Sequence, residues 1–270
     1  MTPLSTPTPW SRASKGYARW LHHHLSLYAH DALAALAPRP TDRVLDVGCG
    51  AGAATLAFAR EAAHVTAVDF SPGMLQALNH ALRSTDTTNV TVLEGDGQAL
   101  VLPDEHADLA VSMFSLIFFP DRHAGLTELY RCLRPGGRVA ISCWPPMVDS
   151  PAMRWMVEGF SAGFPESPPP ERAPTDLDSA EGLREELAAA GFVDLEVQPI
   201  CHEVVVTDVA SFWADMCDGS APLSMLRDHY TDDDWTARHA AAVAHLQEKT
   251  PSQLVLPMPA LLGLGTRPAT

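Results

Sequence analysis

The chain has 270 residues, 46% hydrophobic and 19% charged, a charged share below the ordinary level of about 25%. That length and apolar content allow a sizeable core and exclude a disordered chain. A formal net charge of -15 argues against nucleic acid and anionic lipid as partners, because phosphate binding draws on Lys and Arg. The five cysteines (Cys49, Cys132, Cys143, Cys201, Cys217) form no CxxC pair. Zinc and thioredoxin-like chemistry therefore have no signature, and reduced thiols are expected. The opening residues have no signal-peptide core, and no run approaches the roughly 18 apolar residues of a spanning helix. The expectation is a soluble, cytoplasmic protein.

Residues 1–9 are rich in Pro, Thr and Ser and read as a loose tail. From Tyr17 to Ala37, Trp20, Leu21, Leu25, Tyr28, Leu33 and Leu36 recur at helical spacing, so a helix should end before Pro38. Strands are then expected at Arg43–Val47, His64–Asp69, Val90–Glu94, Leu109–Phe114 and Gly137–Trp144. Helices are expected at Ala53–Ala62, Pro72–Arg83 and Arg122–Cys132. The alternation implies βαβ units, a mostly parallel sheet and a ligand along one edge. After Trp144 a helical flap and a proline-stiffened loop are expected, then a helix at Ser179–Ala190 stopped by Gly191. Phe192–Val206 alternates as a strand, and Asp208–Lys249 returns to helix with a break at "CDGSAP". "QLVLPMPALLGLGT" reads as a final strand, confined by Pro257 and Pro259 to an edge or a short pairing.

Three acids fall at strand ends: Asp46 before a glycine turn, Asp69 in "VTAVDFSPGML", and Asp96 in "LEGDGQAL". Asp69 follows Gly50 by 19 residues, where an acid can accept hydrogen bonds from ribose hydroxyls. The turn itself is D-x-G-x-G-x-G (Asp46, Gly48, Gly50, Gly52), not the dinucleotide G-x-G-x-x-G. Glycines let a ligand approach the backbone, and N–H groups at the next helix favour an anionic group. The leading acid would repel a pyrophosphate. It suits a ligand with an ammonium as well as a carboxylate, such as S-adenosylmethionine.

The segment Arg43–Trp144 resembles a class I S-adenosylmethionine-dependent methyltransferase, of the small-molecule kind that includes the ubiquinone/menaquinone C-methyltransferases. The matching motifs are "VLDVGCGAG", "VDFSPGML", "GDGQALVLPDEHADLAVSMFSL" and "LYRCLRPGGRVAISCW". The resemblance implies an α/β fold: a Rossmann-like, seven-stranded, mostly parallel sheet with helices on both faces, an N-terminal helical segment and helical lid insertions. The layout it implies is an N-terminal tail and cap helix over 1–40 and a cofactor-binding core over 41–145. A flap and Pro-rich loop follow over 146–178. The rest of the sheet lies in 179–270, with a lid insertion around 208–250.

Carried over by position, Gly48, Gly50 and Gly52 would line the cofactor's methionine and ribose portions. Asp46 would meet its amino end directly or through water. Asp69 would take the ribose hydroxyls, and Phe70 and Met74 would flank the adenine. Asp96, with Gly97 and Gln98 nearby, would accept from the adenine amino group. Ser112, Met113 and Phe114 would pass beneath the methionine end. "RPGG" is a structural turn. Where many relatives carry a polar residue after the fourth strand, this chain has Leu116, Ile117, Phe118 and Phe119. That points to an apolar acceptor pocket.

Tyr17, Trp20, Trp144, Trp155, Trp213 and Tyr230 are candidates to line the acceptor pocket, although helix packing accounts for such aromatic stripes as well. His123, His202 and His229 are the general-base candidates in or near the lid; methyl transfer by proximity needs none. His22, His23 and His24 are consecutive and so cannot chelate together on a helix, and no metal is expected. The reading is methyl transfer from S-adenosylmethionine, leaving S-adenosylhomocysteine, to O, N or C of a small, partly apolar metabolite. The alternatives are a non-catalytic or regulatory cofactor-binding protein and, less favoured by the glycine spacing, an NAD-dependent oxidoreductase.

Overall fold

The computed structural model describes residues 3–167, 177–250 and 253–269. The prolines expected to stiffen a loop at 168–170 lie outside the described residues.

Five parallel strands come first. They are β1 (Arg43–Val47), β2 (His64–Asp69), β3 (Val90–Glu94), β4 (Ala107–Met113) and β5 (Leu133–Cys143). β6 (Val193–Val206) and β7 (Leu254–Thr266) complete a seven-stranded sheet of order β3-β2-β1-β4-β5-β7-β6, with β7 antiparallel to both neighbours. The central strands are apolar on both faces, as helix-covered parallel strands must be: Val44, Leu45 and Val47 are all buried. This is the Rossmann-like architecture expected. The chain leaves β1 toward β2 and β3, then returns to place β4 on the other side of β1. The crevice beyond the carboxyl ends of β1 and β4 is therefore the switch point where ligands bind in such sheets.

Helices α1 (Pro7–Gly16) and α2 (His22–Leu36) are joined by one π-helical turn at Tyr17–Leu21. α3 (Ala53–Ala59), α4 (Pro72–Ser84) and α5 (Arg122–Cys132) cross between strands, and α6 (Pro151–Gly163) follows β5. α7 (Ala180–Ala189) precedes β6; α8 (Val209–Gly219), α9 (Ala221–Leu226) and α10 (Asp232–Lys249) lie between β6 and β7. Ser71, Asp121, Ser150, Ser179, Asp208, Ser220 and Thr231 each accept a backbone N–H at the start of their helix. Such caps contribute about 0.5–2 kcal/mol apiece and fix where the chain turns. α6, α8 and α10 bury Trp155, Phe160, Trp213, Ala242 and Leu246 with Val204, Val206 and Met258, a lid core separate from those flanking the sheet. Among the described residues no helix is long and apolar enough to cross a membrane, and Cys49, Cys132, Cys201 and Cys217 are free thiols.

Two expectations are corrected. Residues 3–9 are not a loose tail, since Pro3–Ser5 form a helical turn and α1 begins at Pro7. Proline suits a first helical turn, whose N–H groups lack partners anyway. Trp10 then anchors the helix, with its indole N–H on the Leu4 carbonyl and its ring edge-on to Phe118 at 4.6 Å. Nor is β7 a short pairing or an edge along its whole length: it runs 13 residues beside β6 and lies between β5 and β6 over Leu261–Thr266, while the stretch that holds the prolines is edge-like, as expected. The prolines are tolerated because β5 reaches only to Leu261, so Pro257 and Pro259 lie where β7 pairs on one side alone.

Candidate functional site

The turn after β1 is built to pass close beneath its neighbours. Gly48 sits at φ +71°, and a Cβ there would lie 2.3 Å from Cβ of Ser115. At Gly50, φ +53°, an added Cβ would lie 3.7 Å from the ring and hydroxyl of Tyr17. Four of the loop's N–H groups are satisfied internally. Those of Gly48 and Cys49 donate to the Val68 carbonyl, that of Gly50 to the Asp69 carboxylate and that of Gly52 to the Cys49 carbonyl. These four are therefore committed within the protein rather than left for an anionic ligand, contrary to expectation. α3 is also only seven residues long, with little dipole to offer.

The turn forms one wall of a cavity of about 420 Å³ at the switch point, within the range of about 300–1,000 Å³ typical of small-molecule sites. Of the residues expected to hold a cofactor, Gly48, Gly50, Asp69, Phe70, Met74, Asp96, Gly97, Gln98, Met113 and Phe114 line it together. Asp69 is held rigidly, one oxygen accepting from Gly50 N–H at 2.8 Å and the other from Ser71 N–H at 2.9 Å. Burial pushes its carboxyl pKa up to about 6, against the downward pull of those bonds. Asp96 accepts from both the backbone and the side-chain amide of Gln98 at 2.9 Å, which fixes its carboxylate at the cavity mouth. Gly97 packs under Phe119, 2.6 Å from where its Cβ would be, so no larger residue fits. Phe114 has φ +58°, an uncommon conformation outside glycine and a mark of stored strain. Its N–H donates to Ser142, and its ring stacks on Trp144 at 3.9 Å and 17°.

Three expected cofactor residues do not reach the cavity. Asp46 is 1% exposed and accepts from the Thr55 hydroxyl at 2.6 Å; burial pushes its pKa up to about 7. It braces the loop from behind. Gly52 packs against Leu78, and Ser112 is fully buried with its hydroxyl on the Val47 carbonyl. The cavity position is taken instead by Ser115, which lines it and fills the space above Gly48.

Of the expected acceptor-pocket residues, Tyr17, Trp20 and Trp144 line the cavity. Trp155, Trp213 and Tyr230 do not: the first two belong to the lid core, and Tyr230 stacks under Arg238 at 4.3 Å. Burial, with Asp69 second, raises the Tyr17 phenol above its ordinary value, so it stays a hydrogen-bond donor. None of the three histidines is brought to the cavity. His123 is exposed on α5, His229 is exposed beyond α9, and His202 pairs with Asp31 at 2.7 Å, edge-on to Tyr28. Among the described residues no His, Lys or Arg lines the cavity, and no cluster of metal-ligand type occurs. Met147, Met153, Met156, Phe160, Met216 and Met258 make the lid side of the cavity. Trp10, Ser115, Met153, Met156 and Met258 were not singled out from the sequence. The proline at the first turn of α1 was the available signal for Trp10; the edge-strand reading of β7 hid Met258.

Comparison with known proteins agrees with this geometry. Residues 45–141 match the family model described as a methyltransferase domain. Over 106 residues the chain is 38% identical to a demethylmenaquinone methyltransferase of Corynebacterium kroppenstedtii, covering 39% of this chain and 43% of that protein. It is 32% identical over 135 residues to an uncharacterized protein of Mycobacterium tuberculosis, covering 47% and 49%. The matched region thus spans less than half the length of each of these relatives. Its fold is that of a crystallised S-adenosylmethionine-dependent methyltransferase from Thermotoga maritima, with TM-score 0.57, 20% identity and coverage of 96% and 99%.

Proposed function

We propose that this chain, which carries a class I S-adenosylmethionine-dependent methyltransferase domain, transfers a methyl group to O, N or C of a small, partly apolar metabolite. The observation that carries the reading is the meeting of Gly48, Gly50, Asp69 and Asp96 in one cavity with an apolar lid wall. The residues present fit the cofactor. Asp69 retains lone pairs for two ribose hydroxyls, and Phe70 and Met74 offer apolar faces to an adenine. Asp96, tied to Gln98, can accept from the adenine amino group. Gly48 and Gly50 give the methionine portion room beside the backbone, and the Tyr17 hydroxyl, opposite Gly50, can donate to its carboxylate. When bound, S-adenosylmethionine would supply a methyl group on a sulfonium, to be taken by a nucleophilic electron pair on the acceptor's O, N or C, the carbon–sulfur pair passing to sulfur and any proton lost from that atom passing to water.

The protein's own contribution is alignment and exclusion of water. Fixing the acceptor against the methyl group can supply several kcal/mol, up to about 7–11 in ideal cases. Apolar walls at Phe114, Trp144 and the lid methionines keep the reacting region dry. The lining of the cavity has no histidine among the described residues, so an acceptor enters already nucleophilic or gives up its proton to water rather than to a histidine base. That same feature favours the second reading, a protein that binds the cofactor without turning it over. The two separate on whether S-adenosylhomocysteine accumulates when acceptors are present.

The cofactor assignment is tested by calorimetric titration of S-adenosylmethionine into wild type, Asp69→Asn and Asp69→Ala. Asp69→Ala is expected to abolish binding, with a retained cooperative melt showing that it still folds. Asp69→Asn, which can keep one backbone bond, is expected to weaken binding strongly. Unchanged affinity in both would refute the assignment.

A further inference from the structure

The two ends of the cavity differ in charge, and that difference sets what can enter. Among the described residues its only charged side chains are Asp69 and Asp96, both at the end proposed for the cofactor. The lid end is lined by Met147, Met153, Met156, Met216 and Met258, and the stacked Phe114–Trp144 pair lines the same cavity. Ser220 is a polar residue there, and its hydroxyl is engaged as the cap that accepts from Leu223 N–H at 3.3 Å. Methionines are flexible and polarizable, so they adapt to ligands of differing outline and contact ring edges well. An anion entering this lobe would lose its water with no cation to replace it, and would meet two carboxylates. An uncharged ring meets an aromatic slab on one side and thioethers on the other.

We propose that the lid lobe is a binding site for uncharged, apolar ring compounds and that a lining without a cation among the described residues rejects anionic ones of the same shape. The proposal rests on the methyltransferase reading for its role as acceptor site, but the site itself exists independently of it. Selection here is by charge and flatness rather than by hydrogen bonds. The methionine wall tolerates variation in ring outline, while a carboxylate, sulfonate or phosphate on the ring is disfavoured.

The test uses two fluorescent probes that share a skeleton, uncharged N-phenylnaphthylamine and its anionic counterpart anilinonaphthalenesulfonate. Both are titrated into the full chain. The uncharged probe is expected to bind at least about tenfold more tightly, because an unpaired buried anion is strongly disfavoured. Met156→Trp, which fills the lobe, should remove the uncharged probe's signal. Met147→Arg, which brings a cation to the rim, should raise affinity for the sulfonate by about tenfold. Equal or tighter binding of the sulfonate to wild type overturns the proposal, as does an unchanged uncharged-probe signal in Met156→Trp. Folding of each variant is checked by its melt. Calorimetry with S-adenosylmethionine on the same wild-type preparation separates the two claims. Probe selectivity without cofactor binding refutes the methyltransferase reading alone, and cofactor binding without selectivity refutes the charge-selective lobe alone.

Discussion

Replacing Gly48 by alanine tests the loop that forms the cavity wall. An alanine at φ +71° is in the left-handed region, which costs roughly 1–2 kcal/mol for a residue with a Cβ. That Cβ would also lie 2.3 Å from the Cβ and 2.5 Å from the hydroxyl of Ser115, so Ser115 must move. Moving it breaks the hydroxyl's bond to the Val47 carbonyl at 3.1 Å, a further loss of about 1 kcal/mol. Gly48→Ala should therefore destabilise the protein by about 2–4 kcal/mol in urea unfolding, the spread covering how far the loop can repack. In Gly48→Ala/Ser115→Gly the clash is gone and the backbone penalty remains. A favourable coupling of about 1–2 kcal/mol between the two sites is expected. A single variant within about 0.5 kcal/mol of wild type, or a cycle with no coupling, would refute the reasoning.

Burial holds Asp46 at about 7 and Asp69 at about 6, both above the ordinary 3.8. Their contribution to folding stability is therefore fully present below about pH 4 and is lost as pH rises through 6 to 7. Melting temperatures across that window should fall with rising pH on their account, and Asp46→Asn, which can still accept from Thr55, should flatten the upper part of the fall. Cofactor affinity should run the other way. The ionised Asp69 is the better acceptor for hydroxyls, so affinity should drop by up to about tenfold per pH unit below 6 in calorimetric titrations; a flat profile would contradict that role. His123→Ala, His202→Ala and His229→Ala should each keep S-adenosylhomocysteine formation within about threefold of wild type, a tenfold change being worth about 1.4 kcal/mol. A larger loss would place that histidine's action at the cavity.

Much of the cofactor half was legible because its signals are local. β1, β2, β3 and α5 have the bounds read from their apolar runs and flanking turns, and α7 begins at its Ser179 cap. Asp69, Asp96 and the glycines at 48 and 50 could be placed together because parallel strands deliver their ends to one edge. What the sequence concealed depends on partners far along the chain. Asp46 reads like a ligand-facing acid, yet Thr55, nine residues later, turns it into a brace. The prolines of β7 mark a stretch that does pair on one side alone, but nothing local tells that β5 covers the strand from Leu261 onward. The histidines looked equally able to reach the site, since their distance from it is set by how β6, α5 and the turn after α9 pack. The lid's tryptophans and methionines share one composition; only tertiary packing assigns Trp213 to the core and Met156 to the cavity wall.

The most direct measurement is to incubate the protein with methyl-labelled S-adenosylmethionine and a small-molecule extract, following S-adenosylhomocysteine and labelled products by mass spectrometry. S-adenosylhomocysteine should form in step with a labelled, uncharged, apolar product, and neither should form with Asp69→Ala. Cofactor bound but no S-adenosylhomocysteine above a protein-free control, across acceptor pools that include uncharged ring compounds, would contradict it.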